Sequence, residues 1–167
     1  MENIKNLVFQ FRNAIELAKE NGETDSMRFF EKFPTGCCGE TSDFLGHFLL
    51  EHGIQTSYIC RSCPPQNEEE NSQHHAWLLF NDNIIIDITG DQFKDDKNFL
   101  NYNLPIYIGT SDAFHNLFTY EDIKRKSVFL NELNTINDYM FFEVYNIIKK
   151  YLFMSKTALA MFFMIIN

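Results

Sequence analysis

The stretch HHAWLLFNDNIIIDITGDQF, residues 74–93, decides the fold that we expect for this chain. HAWLLF and IIIDIT are apolar runs of strand length, and the Asn-Asp-Asn between them tolerates the left-handed backbone of a tight turn. The stretch therefore predicts a β-hairpin with His75 on one arm and Asp87 on the other. A carboxylate that follows three isoleucines is costly to bury without a partner, and the hairpin brings His75 within reach of Asp87.

A second informative stretch lies upstream, FPTGCCGETSDFLGHFL at residues 33–49. It predicts a turn followed by a helix that begins near Cys38, packs an apolar stripe into the core and ends at Gly53. The positive end of a helix dipole favours thiolate over thiol, and the thiolate is the nucleophile of cysteine enzymes. A histidine can hold that thiolate and later protonate a leaving group, while an aspartate orients the histidine ring. The helix and the hairpin together predict a Cys-His-Asp site.

The residues alone leave two of the three positions of this site open. Either Cys37 or Cys38 could be the first residue of the helix. His74 and His75 are neighbours on one strand, so their side chains point to opposite faces of the sheet and only one of them can face the cysteine.

The same segments resemble the core of the transglutaminase-like branch of the papain-like cysteine enzymes, over residues 33–109. That branch has a cysteine that opens a helix, a histidine followed by a short residue and Trp, and an Asp-x-Thr sequence. The resemblance implies that Cys38 is the nucleophile, His75 the base and Asp87 the residue that orients the base. It also implies an α+β papain/transglutaminase-like fold, in which the helix bearing the nucleophile packs on a small antiparallel sheet, with extra helices at both ends.

The chain departs from the family pattern beside the nucleophile. Gly39 stands where true transglutaminases often have Trp, and no Gln shortly precedes Cys38 to stabilise an oxyanion. Backbone N–H groups at the start of the helix could replace that donor, and Gln92 is a candidate polar group near the site. The other candidate supporting residues are Trp77, which we expect in the core, Cys37, which we expect to serve packing, and His74.

The resemblance implies thiol-dependent acyl transfer or hydrolysis at an amide bond of a protein or peptide substrate, without a cofactor. With water as acceptor the enzyme is a peptidase or a protein-glutamine deamidase, and some bacterial effectors that deamidate host glutamines are similar to this arrangement. With an amine as acceptor it is a transglutaminase. The alternative from another class is a catalytically inactive binding or inhibitor module that keeps the fold. We expect hydrolysis, by either a peptidase or a deamidase.

A zinc site is a competing interpretation of CRSC, residues 60–63, because a C-x2-C pair followed by His74 or His75 could supply ligands to an interaction domain. The prolines that follow and the missing second pair at standard spacing argue against it, so we expect no bound metal. The remaining histidines, which we expect to be structural or exposed, are His47, His52 and His115.

The whole chain reads as a single domain, residues 1–167, with the catalytic core at 33–109 and a helical C-terminal extension at 120–167. Apolar residues at helical spacing predict an N-terminal helix that stops at Gly22. The other predicted elements are a short helix at 26–33, strands at 54–60 and 104–109, and an exposed loop at 61–73.

Composition and termini bear on partners and location. A formal net charge of −9 repels the phosphates of nucleic acid, so we expect no nucleic-acid partner. The start, MENIKNLVFQF, lacks the basic and long apolar segments of a signal peptide, so we expect the cytoplasm, or export by a route without such a signal. The apolar run at 157–166 is too short to span a bilayer; we expect a buried terminal helix, with an interfacial helix or a partner docked at the C-terminal helices as the alternative.

Overall fold

The computed structural model describes residues 1–23, 30–65, 72–132 and 140–153. The helices are α1 (Glu2–Glu20), α2 (Cys38–Glu51) and α3 (140–153). The strands are β1 (Ser57–Cys63), β2 (Gln73–Phe80), β3 (Ile84–Asp87), β4 (Tyr107–Gly109) and β5 (Tyr120–Lys126). Short 3₁₀ segments are Gly90–Phe93, Lys97–Phe99, His115–Leu117 and Leu130–Glu132.

The five strands form one antiparallel sheet in the order β4-β3-β2-β1-β5. The ladder between β2 and β3 begins at the Asn-Asp-Asn turn and ends at the Leu78–Ile86 pair. The first residues of β2 therefore pair with β1 on one side and, among the described residues, with no strand on the other. This opening beside β2 is where the start of α2 and the segment after β3 meet the sheet.

The two faces of the sheet bury different cores. Ala76 and Leu78 of β2 face the helices and pack in a core with residues of α1, α2 and α3, which we call the helix-side core. His75 and Trp77 alternate with them and face the other side, as expected for a strand. That side holds a second core, the aromatic cluster, formed by Ile59, Cys63, Trp77, Ile85, Phe93, Phe99, Phe114 and Phe118.

Helix α2 begins and ends where its sequence predicts. It starts at Cys38, after turns that include Gly36 in the left-handed conformation with φ +71°. At its other end Gly53 has φ +73°, its N–H donates to Leu50 O at 2.9 Å, and the N–H of Ile54 donates to Leu49 O at 2.9 Å. These two bonds form a Schellman motif, which explains why glycine ends the helix.

Several predicted elements are confirmed. The α+β class, the small antiparallel sheet, the N-terminal helix and the hairpin at its Asn-Asp-Asn turn are all present, with Asn81 and Asp82 at φ 50° and 59°. Helix α3 lies within the helical C-terminal extension predicted for residues 120–167. The predicted strand at 54–60 is shifted, because β1 runs from Ser57 to Cys63 and so includes the first residues of the predicted loop.

The prediction of a helical extension from residue 120 onward is wrong for Tyr120–Lys126, which form β5 at the edge of the sheet. The side chains of this strand are almost all exposed, so burial left no alternating apolar pattern to mark it as a strand. Pairing with β1 supplies its backbone hydrogen bonds, and its charged residues protect the exposed edge from further pairing.

The predicted helix at 26–33 falls partly on residues 24–29, outside the described residues, and the described remainder forms turns. The middle of the predicted loop, 66–71, and the apolar run at 157–166 also lie outside the described residues. Among the residues that the structure describes, no helix is both long and apolar enough to cross a membrane.

Candidate active site

Cys38 is the first residue of α2 and lies at the opening beside β2. Its thiol lies beside the ring of His75 and the backbone of Ala76, both on β2. Cys37 occupies the N-cap position and provides no side-chain cap, so the first turn of α2 has backbone N–H groups that Cys37 leaves available to a ligand.

His75 and Asp87 are fully buried partners on the two arms of the hairpin. His75 Nε2 lies 2.8 Å from Asp87 Oδ2. The other carboxylate oxygen, Oδ1, accepts hydrogen bonds from Thr89 N at 2.9 Å and from the Thr89 hydroxyl at 3.2 Å. Thr89 thus holds the carboxylate in place, which gives a physical reason for the Asp-x-Thr spacing. The buried Asp87 has the partner that its apolar surroundings require.

Opposing effects set the protonation of these groups. Burial raises the pKa of Cys38, but the hydrogen bond and charge of His75 and the backbone bond from Ala76 lower it below the ordinary value. Burial lowers the pKa of His75, but Asp87 and Cys38 raise it to about 10. Burial raises the pKa of Asp87, but His75 and His115 hold it well below its usual range. The directions favour a thiolate and an imidazolium beside a carboxylate.

Aromatic rings surround the ring of His75 on its buried side. The ring centroids of Phe93, Phe114, Phe118 and Trp77 lie between 5.3 and 5.7 Å from that of His75. These rings exclude water from the side of the imidazole that faces away from Cys38. Charges in such surroundings interact more strongly than they do in water.

Gln92 joins the 3₁₀ segment after β3 to both His75 and the turn before α2. Its side-chain nitrogen lies 3.1 Å from His75 Nδ1 and donates to Thr89 O at 3.0 Å. Its side-chain oxygen accepts a hydrogen bond from Gly36 N at 3.4 Å. The predicted polar group near the site is therefore within hydrogen-bond distance of the imidazole, and its amide is a candidate oxyanion donor.

The other predicted supporting residues lie in different surroundings. Cys37 is fully buried, donates to Pro34 O at 3.2 Å and has a pKa that burial raises to about 12, so its thiol stays protonated. Trp77 is a core residue of the aromatic cluster. His74 is exposed, and its Nδ1 lies 3.1 Å from Asp122 Oδ2 of β5. The structure thus distinguishes Cys38 from Cys37 and His75 from His74, the two pairs between which the residues alone could not decide.

His115 is a residue of this site that sequence reasoning missed. It is buried, and its Nε2 lies 3.3 Å from Asp87 Oδ2, the same oxygen that binds His75. Its Nδ1 lies 2.7 Å from Asp112 Oδ1, and Tyr102 donates to the other oxygen of Asp112 at 3.1 Å. The order Asp112, His115, Asp87, His75 is a continuous chain of polar contacts. Asp112 and His115 are three residues apart in a segment without strand or helix periodicity, so no local signal distinguishes them.

The C-x2-C pair does not converge on one site. Cys60 packs against the helix-side core, whereas Cys63 belongs to the aromatic cluster on the other face of the sheet. Residues three apart on a strand point to opposite faces, so the two thiols cannot bind one ion as predicted for a C-x2-C motif. Cys60 instead lies near His74 and Asp122, and the ligand atoms of these three residues are all within 4.8 Å of one another.

The chain was compared with known proteins, and no protein-family model, no curated protein and no solved structure matches it.

Proposed function

We propose that the protein is a papain/transglutaminase-like cysteine enzyme that hydrolyses an amide bond in a protein or peptide, as a peptidase or a protein-glutamine deamidase. One observation carries the proposal: the thiol of Cys38, at the start of α2, lies beside the ring of His75, which lowers the pKa of the thiol, and Nε2 of that ring lies 2.8 Å from the buried Asp87. A nucleophile, a base and an orienting carboxylate in contact are what thiol catalysis requires.

The proposed reaction has two halves. The thiolate of Cys38 attacks the carbonyl carbon and forms a C–S bond, and the imidazolium of His75 donates its Nδ1 proton to the nitrogen as the C–N bond breaks. A water molecule then attacks the thioester while His75 accepts its proton, and the acid product leaves as the C–S bond breaks. Asp87 remains ionised throughout and stabilises the charge of His75.

We further propose that the oxyanion is stabilised by the side-chain amide of Gln92 and by the backbone N–H of Cys38. Gln92 is held between the segment after β3 and the turn before α2 by its hydrogen bonds with Thr89 O and Gly36 N, which supports the first donor. The position of Cys38 at the start of α2 supports the second, because the first N–H groups of a helix have no intrahelical acceptor. This pair of donors would compensate for the missing Gln before the nucleophile.

Asp112 and His115 are proposed as positioning residues that act through Asp87. The Nε2 of His115 shares Asp87 Oδ2 with His75, and Asp112 fixes the His115 ring from behind. A carboxylate held by Thr89 on one oxygen and by two histidines on the other has little freedom to rotate. Precise orientation of His75 is the expected consequence.

Alkylation by iodoacetamide across pH, with the modified residue located by mass spectrometry, tests whether Cys38 is activated. Because the pKa of Cys38 is lowered, its thiolate persists at pH values at which an ordinary thiol is protonated. Burial raises the pKa of Cys60, so we expect fast labelling of Cys38 below neutral pH and slow labelling of Cys60. His75→Gln should slow the labelling of Cys38. Ordinary thiol behaviour at Cys38 would favour the inactive binding or inhibitor module.

Assays of amide substrates then distinguish peptidase, deamidase and transglutaminase activity. The folded protein is incubated with casein and with glutamine-containing peptides, and peptide cleavage, ammonia release and incorporation of a primary amine are measured. We expect cleavage or ammonia release without amine incorporation, abolished in Cys38→Ala; dominant amine incorporation would identify a transglutaminase instead. The matched control is Cys60→Ala, which should keep the activity. An active Cys38→Ala variant would contradict the assignment.

A further inference from the structure

A second group of polar side chains lies on the sheet outside the proposed active site. It consists of Cys60 on β1, His74 on β2 and Asp122 on β5, three adjacent strands. His74 Nδ1 and Asp122 Oδ2 are 3.1 Å apart, and all three potential ligand atoms lie within 4.8 Å of one another. We propose that these three residues form a binding site for one Zn²⁺ ion.

The strand pairing explains how the three side chains converge. Cys60 and Ser62 are two residues apart on β1, and Ser62 pairs directly with His74 on β2. On β5 the partner changes from Ile123, opposite Cys60, to Glu121, opposite Arg61, so Asp122 is the extra residue of a β-bulge. Bulges re-aim a side chain, and this one turns Asp122 toward Ser62 and His74.

The chemistry of the set selects zinc among divalent ions. A thiolate and an imidazole favour Zn²⁺ over Mg²⁺ or Ca²⁺, which prefer oxygen ligands. Ligand atoms on tetrahedral zinc are about 3.3–3.6 Å apart at typical bond lengths. The His74–Asp122 distance is already close to this value. The His74 side chain is 58% exposed, so it is free to make the remaining adjustment toward Cys60.

The surroundings also resemble those of a metal site. The Ser62 hydroxyl donates to Asp122 Oδ1 at 3.1 Å, which leaves Oδ2 for the ion and orients the carboxylate from outside the ligand set. The charges of a thiolate and a carboxylate offset that of Zn²⁺. Three protein ligands leave a fourth position for water or an external ligand. Bound zinc would connect the edge strand β5 to β2 across β1, and this proposal does not depend on the proposed enzymatic function.

Zinc binding is tested on the full chain, reduced and freed of metal with a chelator, by competition with a chromophoric zinc chelator. We expect one ion per chain. Zinc binding should weaken by more than about tenfold in each of the three ligand variants, Cys60→Ser, His74→Ala and Asp122→Asn. Ser62→Ala should weaken it by about tenfold, because Ser62 only orients the Asp122 carboxylate. Two matched controls, Cys38→Ala and His52→Ala, replace a thiol and an imidazole elsewhere and should bind zinc as the unchanged protein does.

Two of the following results are measured on the unchanged protein and decide the proposal whatever the folding of the variants. In the unchanged protein, zinc should protect Cys60 from N-ethylmaleimide at least tenfold more than it protects Cys38. Absence of zinc binding would overturn the proposal and leave His74 and Asp122 as a surface ion pair. Binding that is lost in Cys38→Ala and retained in Cys60→Ser would also overturn it, because the ion would then sit on the proposed nucleophile.

Discussion

At the scale of single residues, the unusual feature is a carboxylate with two histidine partners. Asp87 Oδ2 lies 2.8 Å from His75 Nε2 and 3.3 Å from His115 Nε2, in surroundings that exclude water. Buried polar groups of this kind are costly unless every partner is present. The geometry of His75 should therefore depend on residues that do not hydrogen-bond to His75 itself.

Replacing His115 tests this dependence. His115→Asn removes one hydrogen bond to the Asp87 carboxylate, and loss of a bond to a charged group costs about 1.5–3 kcal/mol of unfolding free energy. If about 1 kcal/mol of this loss appears in the activation free energy of the Cys38 reaction through a misplaced His75, Cys38 should react with iodoacetamide about fivefold more slowly at neutral pH. The measurement is the pH profile of Cys38 labelling beside a urea unfolding curve.

The control for this variant is His47→Asn. His47 is also a buried histidine, but it lies on α2 among Glu51, Leu130 and Tyr145, away from Cys38. It should lose comparable stability while leaving the pH profile of Cys38 labelling unchanged. If both variants alter the profile equally, His115 acts through general stability and is not a positioning residue.

At the scale of elements, α2 connects the core to the site. Gly36 lies just before α2 and Gly53 just after it. Both glycines have a left-handed backbone conformation, and outside their chain neighbours no atom lies within 4 Å of the point that a Cβ would occupy. Alanine at either position therefore costs conformational strain without a steric clash. Only Gly36 is bonded to the site, through its N–H and Gln92 Oε1.

Alanine substitutions at these two glycines test whether the labelling of Cys38 depends on the overall stability of α2 or on the geometry of its first residues. Gly36→Ala and Gly53→Ala should each lower the unfolding free energy by about 1 kcal/mol, measured by urea denaturation. Gly36→Ala should also slow Cys38 labelling, because strain before α2 shifts the thiol relative to Gln92 and His75. Gly53→Ala serves as the matched control, and slower labelling in that variant would show that the rate follows overall stability.

At the scale of the whole molecule, Arg12 ties α1 to the segment that carries Gln92. Its guanidinium is almost fully buried and contacts Asp91 through two nitrogens, at 3.0 and 2.8 Å. It also donates to Ile88 O at 2.5 Å. One arginine thus fixes the position of the chain immediately after β3, between Asp87 and Gln92.

Removal of Arg12 should be costly because it leaves the half-buried carboxylate of Asp91 and the buried carbonyl of Ile88 without their partner. Arg12→Leu should lower the unfolding free energy by about 3 kcal/mol, measured by urea denaturation. Arg12→Lys should restore little of it, since an ammonium cannot make the two parallel bonds to Asp91. The control is Lys124→Met, whose ion pair with Asp82 is exposed and 3.9 Å long; its change should stay within about 0.5 kcal/mol. A loss below about 1 kcal/mol in Arg12→Leu would contradict this role.

The sequence by itself determined the elements that local patterns specify. Apolar spacing and the glycine stop predicted α2, and the Asn-Asp-Asn turn between two apolar runs predicted the hairpin. The order of a helix start, a strand histidine and a strand aspartate predicted a Cys-His-Asp site, and the family resemblance assigned it to Cys38, His75 and Asp87. The helix and the hairpin each depend on residues close in the chain, so periodicity and turn chemistry suffice for them.

Only the tertiary structure decided the rest. The polar strand β5 exists because β1 lies beside it, and the Asp122 bulge appears only in that pairing. His115 reaches Asp87 across 28 residues of the chain, and Arg12 reaches Asp91 across 79. Such contacts have no periodic signal, because their partners are set by the packing of distant segments. Strand alternation likewise places Cys60 and Cys63 on opposite faces of the sheet, although they are close in the sequence. Cys60 lies near His74 instead.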